Sequence, residues 1–237
     1  MSTDILAFTT PSTELLAYGE PTHLEPAFGR IRNELFAGLA EAGYRSIALE
    51  IDRVAAFAVD DFVQHGTGTL DSVMAEGFSH TFGTLDTNRR LVAWMREYNE
   101  HRPAADRLAC HGFDAPLETM NAPSPRTYLE HARDYLGLDL DLAGLSGDDE
   151  QWHRTEAILD HAQSPGNTPE AHRLRAIADD LLTQLHARAP ELIAAPSRAE
   201  WYLARTYLGA GIALLRYHRQ SAEPLDEATR ISRMCGI

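Results

Sequence analysis

An acid and an imidazole stand three residues apart, Glu20 and His23, at the end of the run Glu14-Leu-Leu-Ala-Tyr-Gly-Glu-Pro-Thr-His23. A carboxylate beside an imidazole can orient the ring, stabilise its charge and let it take a proton from water near neutral pH. The plainer alternative is a glutamate accepting backbone N–H bonds beside a surface histidine. Two more groups are placed to join the first pair. On a helical wheel of about 100° per residue, Arg32 falls roughly 40° from Phe28, within the apolar face of its helix. A cation there needs partners, because an unpaired buried charge is very costly. Carboxylates at the strand mouth are its natural partners, and Glu50, at the end of the apolar run Ser46-Ile-Ala-Leu-Glu50-Ile-Asp52, is one. Arg30 falls toward solvent. Asn88 shares the face of Leu91, Val92 and Met95, and a buried amide there must be satisfied by a ligand or a neighbouring loop. Asp114 ends the run Arg107-Leu-Ala-Cys-His111-Gly-Phe-Asp114, in which His111 reads as a satisfied strand residue rather than a catalyst.

These residues need strands and helices to bring them together. Leu15–Tyr18, Ser46–Asp52 and Arg107–Asp114 read as three strands; the first is stopped by Pro21, which cannot donate to a ladder. A helix from Pro26 to about Ala42, with Phe28, Ile31, Leu35, Leu39 and Ala42 on its core face, completes a βαβ unit. Val54–His65, Leu70–Met74 and Leu85–Glu100 read as helices, the last with a core of Leu91, Val92, Met95 and Tyr98. Phe78–Gly83 reads as a loop. Glu20, Glu50 and Asp114 thus converge at the carboxyl ends of parallel strands, where open α/β sheets bind ligands. Beyond Pro123-Ser-Pro125 the chain reads as helices over about 126–136, 149–162, 168–188 and 198–219, with an acidic surface loop at Asp139–Asp149. The expected fold class is α/β, a parallel sheet with flanking helices plus an all-helical cap region, the sheet incomplete in this chain. The expected domains are an α/β core at 1–122, a helical cap at 123–222 and the truncated start of a further segment at 223–237.

Composition removes several functions. In the 237 residues, 35 acidic side chains face 21 basic ones, a net charge of −14. That argues against a nucleic-acid partner, which needs a basic stripe, and against an anionic membrane surface. Two cysteines, Cys110 and Cys235, are too few and too distant for a disulfide framework or a zinc knuckle, and Cys110 reads as a small buried hydrophobe. The scattered histidines match no metal spacing. No secretion signal or spanning segment is visible, so a cytoplasmic location is expected; the sequence leaves the oligomeric state open.

Taken together, Gly19-Glu20-Pro-Thr-His23, Arg32 nine residues later, the Ala-Leu-Glu50 strand end, Thr87-Asn88 and Gly112-Phe-Asp114 resemble the erythromycin esterase family, in order over about residues 14–120. The resemblance implies a hydrolase that opens ester or lactone bonds without a metal or other cofactor; some relatives inactivate macrolide antibiotics by opening the ring. It carries Glu20, His23, Arg32 and Glu50 over as the catalytic set, with Asn88 and Asp114 as substrate-binding candidates. The family pattern also holds a further histidine on a later strand, in chains much longer than this one, and nothing here matches it. With no Gly-x-Ser-x-Gly elbow for a serine nucleophile, the implied reaction uses an activated water. Either His23 is the base, oriented by Glu20 or Glu50, or a glutamate is. Two alternatives are a metal-dependent hydrolase with Glu20, His23, Glu50 and Asp52 as ligands, and a catalytically incomplete macrocycle-binding protein or fragment.

Overall fold

Helix α1 spans Pro26–Glu41, opened by proline in its first turn and by Glu25, whose carboxylate accepts from Ala27 N at 3.0 Å. At its far end Tyr44 N donates to Leu39 O and Arg45 Nη1 to Ala40 O, which satisfies carbonyls that the helix leaves open. The predicted span is right but its packed face is rotated. The buried residues are Gly29, Phe36, Leu39 and Ala40, whereas Ile31 is exposed. Gly29 sets this phase: a Cβ there would lie 2.5 Å from Thr87 Oγ1, so only glycine lets the helix lie this close to Thr87.

The computed structural model describes residues 9–10, 12–118, 121–194 and 197–224, in two units that divide between Asp114 and Ala115. In the first, β1 (Ser46–Asp52) pairs in parallel with β2 (Ala109–Asp114), from Ser46 opposite Ala109 to Leu49 opposite Gly112, then irregularly to Asp52 opposite Asp114. Between them come α2 (Ala56–His65), α3 (Leu70–Glu76), a 3₁₀ turn at Phe82–Thr84 and α4 (Asp86–Asn99). Their core joins Phe36 and Ala40 of α1 to Leu49 and Ile51 of β1, Val59 and Val63 of α2, and Leu91, Val92 and Met95 of α4. The entry to β2 is fixed by side chains. The Asn99 amide donates to Val63 O and Leu108 O and accepts from Leu108 N, while Asp60 accepts from Cys110 N. Burial pushes the Cys110 thiol up to about 12, so it packs as a neutral apolar group.

One strand expectation is corrected. Leu15–Tyr18 joins no ladder among the described residues, and Leu15 and Tyr18 are exposed. An apolar run signals the capacity to form a strand; the strand itself needs a neighbour, and among the described residues the sheet order is β1–β2 alone.

The second unit is helical: α5 (Arg126–Leu136), α6 (Leu142–Ser146), α7 (Glu150–His153), α8 (Glu156–Leu159), α9 (Pro169–Ala187), α10 (Ala189–Ala194) and α11 (Arg198–Ser221). The helix expected over 149–162 is two single turns, parted by extended backbone at Arg154 (ψ 148°). The acidic stretch read as surface contains α6, whose Leu142 is fully buried and whose Ser146 carbonyl accepts from the Trp152 indole at 2.8 Å. Charge dominates this stretch, yet the helix buries Leu142 and Ser146 and leaves Asp139 and Asp141 exposed. The segment expected to begin at 223 lies, from 225 on, outside the described residues. Among the described residues no helix is long and apolar enough to cross a membrane.

His218 of α11 is fully buried edge-on to Trp152. Its Nε2 lies 3.1 Å from Pro123 O, and its Nδ1 has no partner among the described residues. Burial pushes this imidazole down to about 4. The unfolded chain therefore binds a proton at higher pH than the folded one, so His218 lowers stability as pH falls from about 6.5 toward 4. We expect the helical unit to lose about 3 kcal/mol from this source over that interval. Urea melts of His218→Gln and wild type should converge as the pH is lowered; curves that stay parallel would exclude the effect.

Candidate active site

A cavity of about 1730 Å³ is bounded by α1, β1 and the irregular stretch before α1, and Glu20, His23, Arg32, Glu50 and Asn88 all line it. Asp114 does not line it, although its neighbour Phe113 does. Five of the six residues picked from sequence therefore face one space.

His23 follows the bend at Pro21-Thr22, and the left-handed backbone of Leu24 (φ 65°) turns the chain into α1. Its Nε2 lies 3.9 Å from Glu50 Oε2, and both side chains remain over half exposed, at 55% and 53%. So open a pair contributes little to stability. It does keep a carboxylate beside an imidazole that water can reach. The ring centroid of His23 also lies 5.6 Å from that of Phe82, which forms part of the wall.

Arg32 is half-buried on the packed side of α1, as its wheel position required. Its hydrogen bonds correct the expected partners. Nη2 donates to Asn88 Oδ1 at 2.8 Å and to Asn33 Oδ1 at 2.9 Å, and Nε donates to Asn33 Oδ1 as well. Glu20 acts on it through space. Burial pushes the guanidinium below its ordinary value, and the Glu20 carboxylate is the largest influence in the other direction. Carboxylates at the mouth are thus left open, because two amides already hold the cation. Asn88 is buried for the reason its helical face implied, with the neighbouring loop as its partner: its Nδ2 donates to Phe82 O at 2.9 Å. Asn33 Nδ2 in turn donates to Thr87 O at 2.8 Å.

At the carboxyl ends of the two strands, just past Glu50, Asp52 N donates to Ser79 Oγ, Asp52 Oδ1 accepts from Val54 N, and Arg53 donates to the carbonyls of Phe113 and Asp114. Burial pushes the Asp52 carboxyl up, against the lowering effect of the Val54 and Ala55 N–H groups. Asp114 Oδ2 lies 3.1 Å from Nε2 of His80, in the stretch Phe78–Gly83. No spacing rule announces this pair; a histidine held between two aromatic residues, Phe78 and Phe82, is the only local signal. Among the described residues no three histidine, cysteine, aspartate or glutamate side chains are grouped to hold a metal ion, so Glu20, His23, Glu50 and Asp52 do not assemble as the ligand set of the metal-dependent alternative.

Two substitutions probe this framework. Asn88→Ala removes the acceptor of a half-buried guanidinium and should cost about 1.5–3 kcal/mol, read as a lowered melting midpoint. Gly112→Ala would put a Cβ 2.6 Å from Ile51 O and should cost at least about 1 kcal/mol. Unchanged denaturation curves would show that neither contact holds the sheet end and α1 in place.

A family model described as erythromycin esterase matches residues 39–234, a span that holds Glu50, Asn88 and Asp114 but begins after Glu20, His23 and Arg32. No curated protein matches significantly. Among solved structures, a variant of the erythromycin esterase EreC in its open conformation is 18% identical, over 88% of this chain and 52% of that one, with a TM-score of 0.54. A Bacillus cereus protein is 14% identical over 87% of this chain and 47% of its own, TM-score 0.57. A succinoglycan biosynthesis protein is 14% identical over 86% and 46%, TM-score 0.55. The chain thus spans about half the length of these structures, and at such identities the likeness is one of fold. With the family model covering most of its residues, the chain belongs to the erythromycin esterase family.

Proposed function

We propose that this chain carries the water-activating half-site of a hydrolase that opens ester or lactone bonds, with macrolide rings among the candidate substrates. The observation that carries the reading is the His23–Glu50 pair at 3.9 Å in a cavity that Glu20, Arg32 and Asn88 also line. With Nε2 of His23 turned toward Glu50, Nδ1 is the nitrogen left to accept a proton from water. The hydroxide equivalent then attacks the carbonyl carbon, and the carbonyl oxygen becomes an oxyanion. Arg32 Nη1 has no acceptor among the described residues and serves as a donor to that oxygen. Glu50 offsets the charge that His23 acquires, and the Glu20 carboxylate favours the charged form of Arg32 through space. The apolar lining, Leu35, Phe36, Leu39 and Phe82 among it, suits a bulky substrate with few charges. Family membership supports the reaction class; the particular ester belongs to this proposal.

Incubating the purified chain with a panel of esters, lactones and macrolides should give products heavier by one water. Binding of a ring without that mass gain would support a binding protein instead and overturn the hydrolase reading. His23→Ala should lower turnover by at least about 10²-fold and leave the melting midpoint unchanged, since the side chain is over half exposed. Full turnover in this variant would remove His23 as the base.

A further inference from the structure

Every residue of β1 from Ser46 to Ile51 lines the cavity that holds His23, while β2 contributes only Phe113. Neighbouring residues of a strand point to opposite faces of the sheet. A space lined by all of them in succession therefore follows the edge of β1, on the side away from β2.

That edge has no strand against it among the described residues. Leu15–Tyr18 lines the same cavity without joining it. The open hydrogen-bonding groups follow from the ladder. Both backbone groups of a strand residue point to one edge, and that edge alternates along the strand. Ala109 N donates to Arg45 O, so Arg45, Ile47 and Leu49 turn to β2. Past the irregular step the alternation continues: Asp52 N turns away, to Ser79 Oγ, and Arg53 N turns back, to Asp114 O. The N–H and C=O groups of Ser46, Ala48 and Glu50 are left along the cavity. All three residues are exposed, and these groups have no protein partner among the described residues.

A row of alternating unpaired donors and acceptors recognises another extended backbone. An alkyl chain laid there would strip water from these groups without replacing its hydrogen bonds, which is costly. A peptide would pair with them. From Ser46 to Glu50 the edge runs about 13 Å, room for about four ligand residues. It ends at Glu50, whose Oε2 lies 3.9 Å from His23 Nε2. Leu35 and Leu39 of α1 supply apolar wall for ligand side chains.

We infer that the substrate of the hydrolase proposed above, on which this reading rests, is a peptidyl ester. Its acyl peptide adds to the edge of β1 as a parallel strand and brings its C-terminal ester carbonyl to His23 and Glu50. Water's oxygen bonds to the acyl carbon, and the bond from that carbon to the alcohol oxygen breaks. The electron pair stays on the alcohol oxygen, which ends with one proton of the water; the acid keeps the other. The products are a peptide carboxylic acid and an alcohol.

Two esters of similar length test this, acetyl-Ala-Val-Ala-Val ethyl ester and ethyl dodecanoate. The peptidyl ester should be cleaved at least about 10-fold more efficiently, by kcat/KM. Alternate amides of a paired strand face opposite edges. N-methylation of one alternate pair of peptide amides should therefore lower kcat/KM about 10-fold, and methylation of the other pair should leave it within about threefold. Ala48→Pro removes an N–H that faces the cavity and no bond between β1 and β2. It should lower kcat/KM for the peptidyl ester about 10-fold and leave that for ethyl dodecanoate unchanged. Equal responses to the two methylation patterns overturn the peptide pairing, even where Ala48→Pro fails to fold. So does equal efficiency on the two esters, a result that the hydrolase reading survives. The corresponding peptide amide, which carries no ester, should slow hydrogen exchange at the Ser46 and Ala48 N–H groups, which exchange fast in the free chain. Slow exchange there in the free chain, as pairing of Leu15–Tyr18 with β1 would give, also overturns the inference. A chain inert toward both esters overturns the hydrolase reading and the peptidyl substrate together.

Discussion

The guanidinium of Arg32 has to be satisfied inside the packed face of α1, and that requirement organises the first unit. Its acceptors are Asn33 and Asn88, and each amide passes the constraint on. Asn33 donates to Thr87 O, Asn88 to Phe82 O. One cation thereby ties α1 to the first turn of α4 and to the loop that carries His80. Gly29 allows the approach, since any side chain there would strike Thr87. Amides accept the hydrogen bonds without adding charge, so the cost of burying the guanidinium is met without drawing in Glu20 or Glu50. The carboxylates stay in the cavity, where a packing argument gives them nothing to do.

A sheet of two strands leaves many backbone groups to satisfy, and the side chains around it do so locally. Asn99 and Asp60 take the start of β2. Arg53 takes the carbonyls at its end, and Asp52 caps the turn into α2. Gly112 lets the two strands close up where the register breaks, because a Cβ would meet the carbonyls of Ile51 and Asp52. That tight end is where Glu50, Phe113 and Asp114 emerge. Precise placement of these groups follows from satisfying backbone at the strand ends more than from the size of the sheet.

Much of this was legible from residue types alone, and the failures share a cause. Both strands, α1, α4, α5, α9 and α11 lie where apolar periodicity and proline breaks put them, within a few residues. Arg32 on a packed face and Asn88 in need of partners were readable because a charge or amide at an apolar position is a contradiction that structure must resolve. What could not be read was which surface each element meets. The face of α1 is set by Gly29 against Thr87, a contact that carries no hydrophobic signal. Leu15–Tyr18 has the residues of a strand but no ladder partner among the described residues. His80 owes its position to two left-handed residues and a set of loop hydrogen bonds, none of which leaves a periodic trace.

The chain's histidines also show why environment, and not residue type, decides which one can act as a base. His218 sits in the helical unit against Trp152, sealed from water and pushed down to about 4, so at neutral pH it has no proton to give and little capacity to take one. His111 is an exposed strand residue outside the lining of the cavity that holds His23. His23 differs from both: it keeps solvent contact, it has a carboxylate at 3.9 Å, and it opens onto a cavity with a cation in its wall. A base in hydrolysis must exchange its proton with water once per turnover and must be charged for part of the cycle. A sealed imidazole fails the first demand, and a lone surface imidazole has nothing to compensate its charge. The looseness of the His23–Glu50 pair, which makes it worthless as a stabilising contact, is what both demands require.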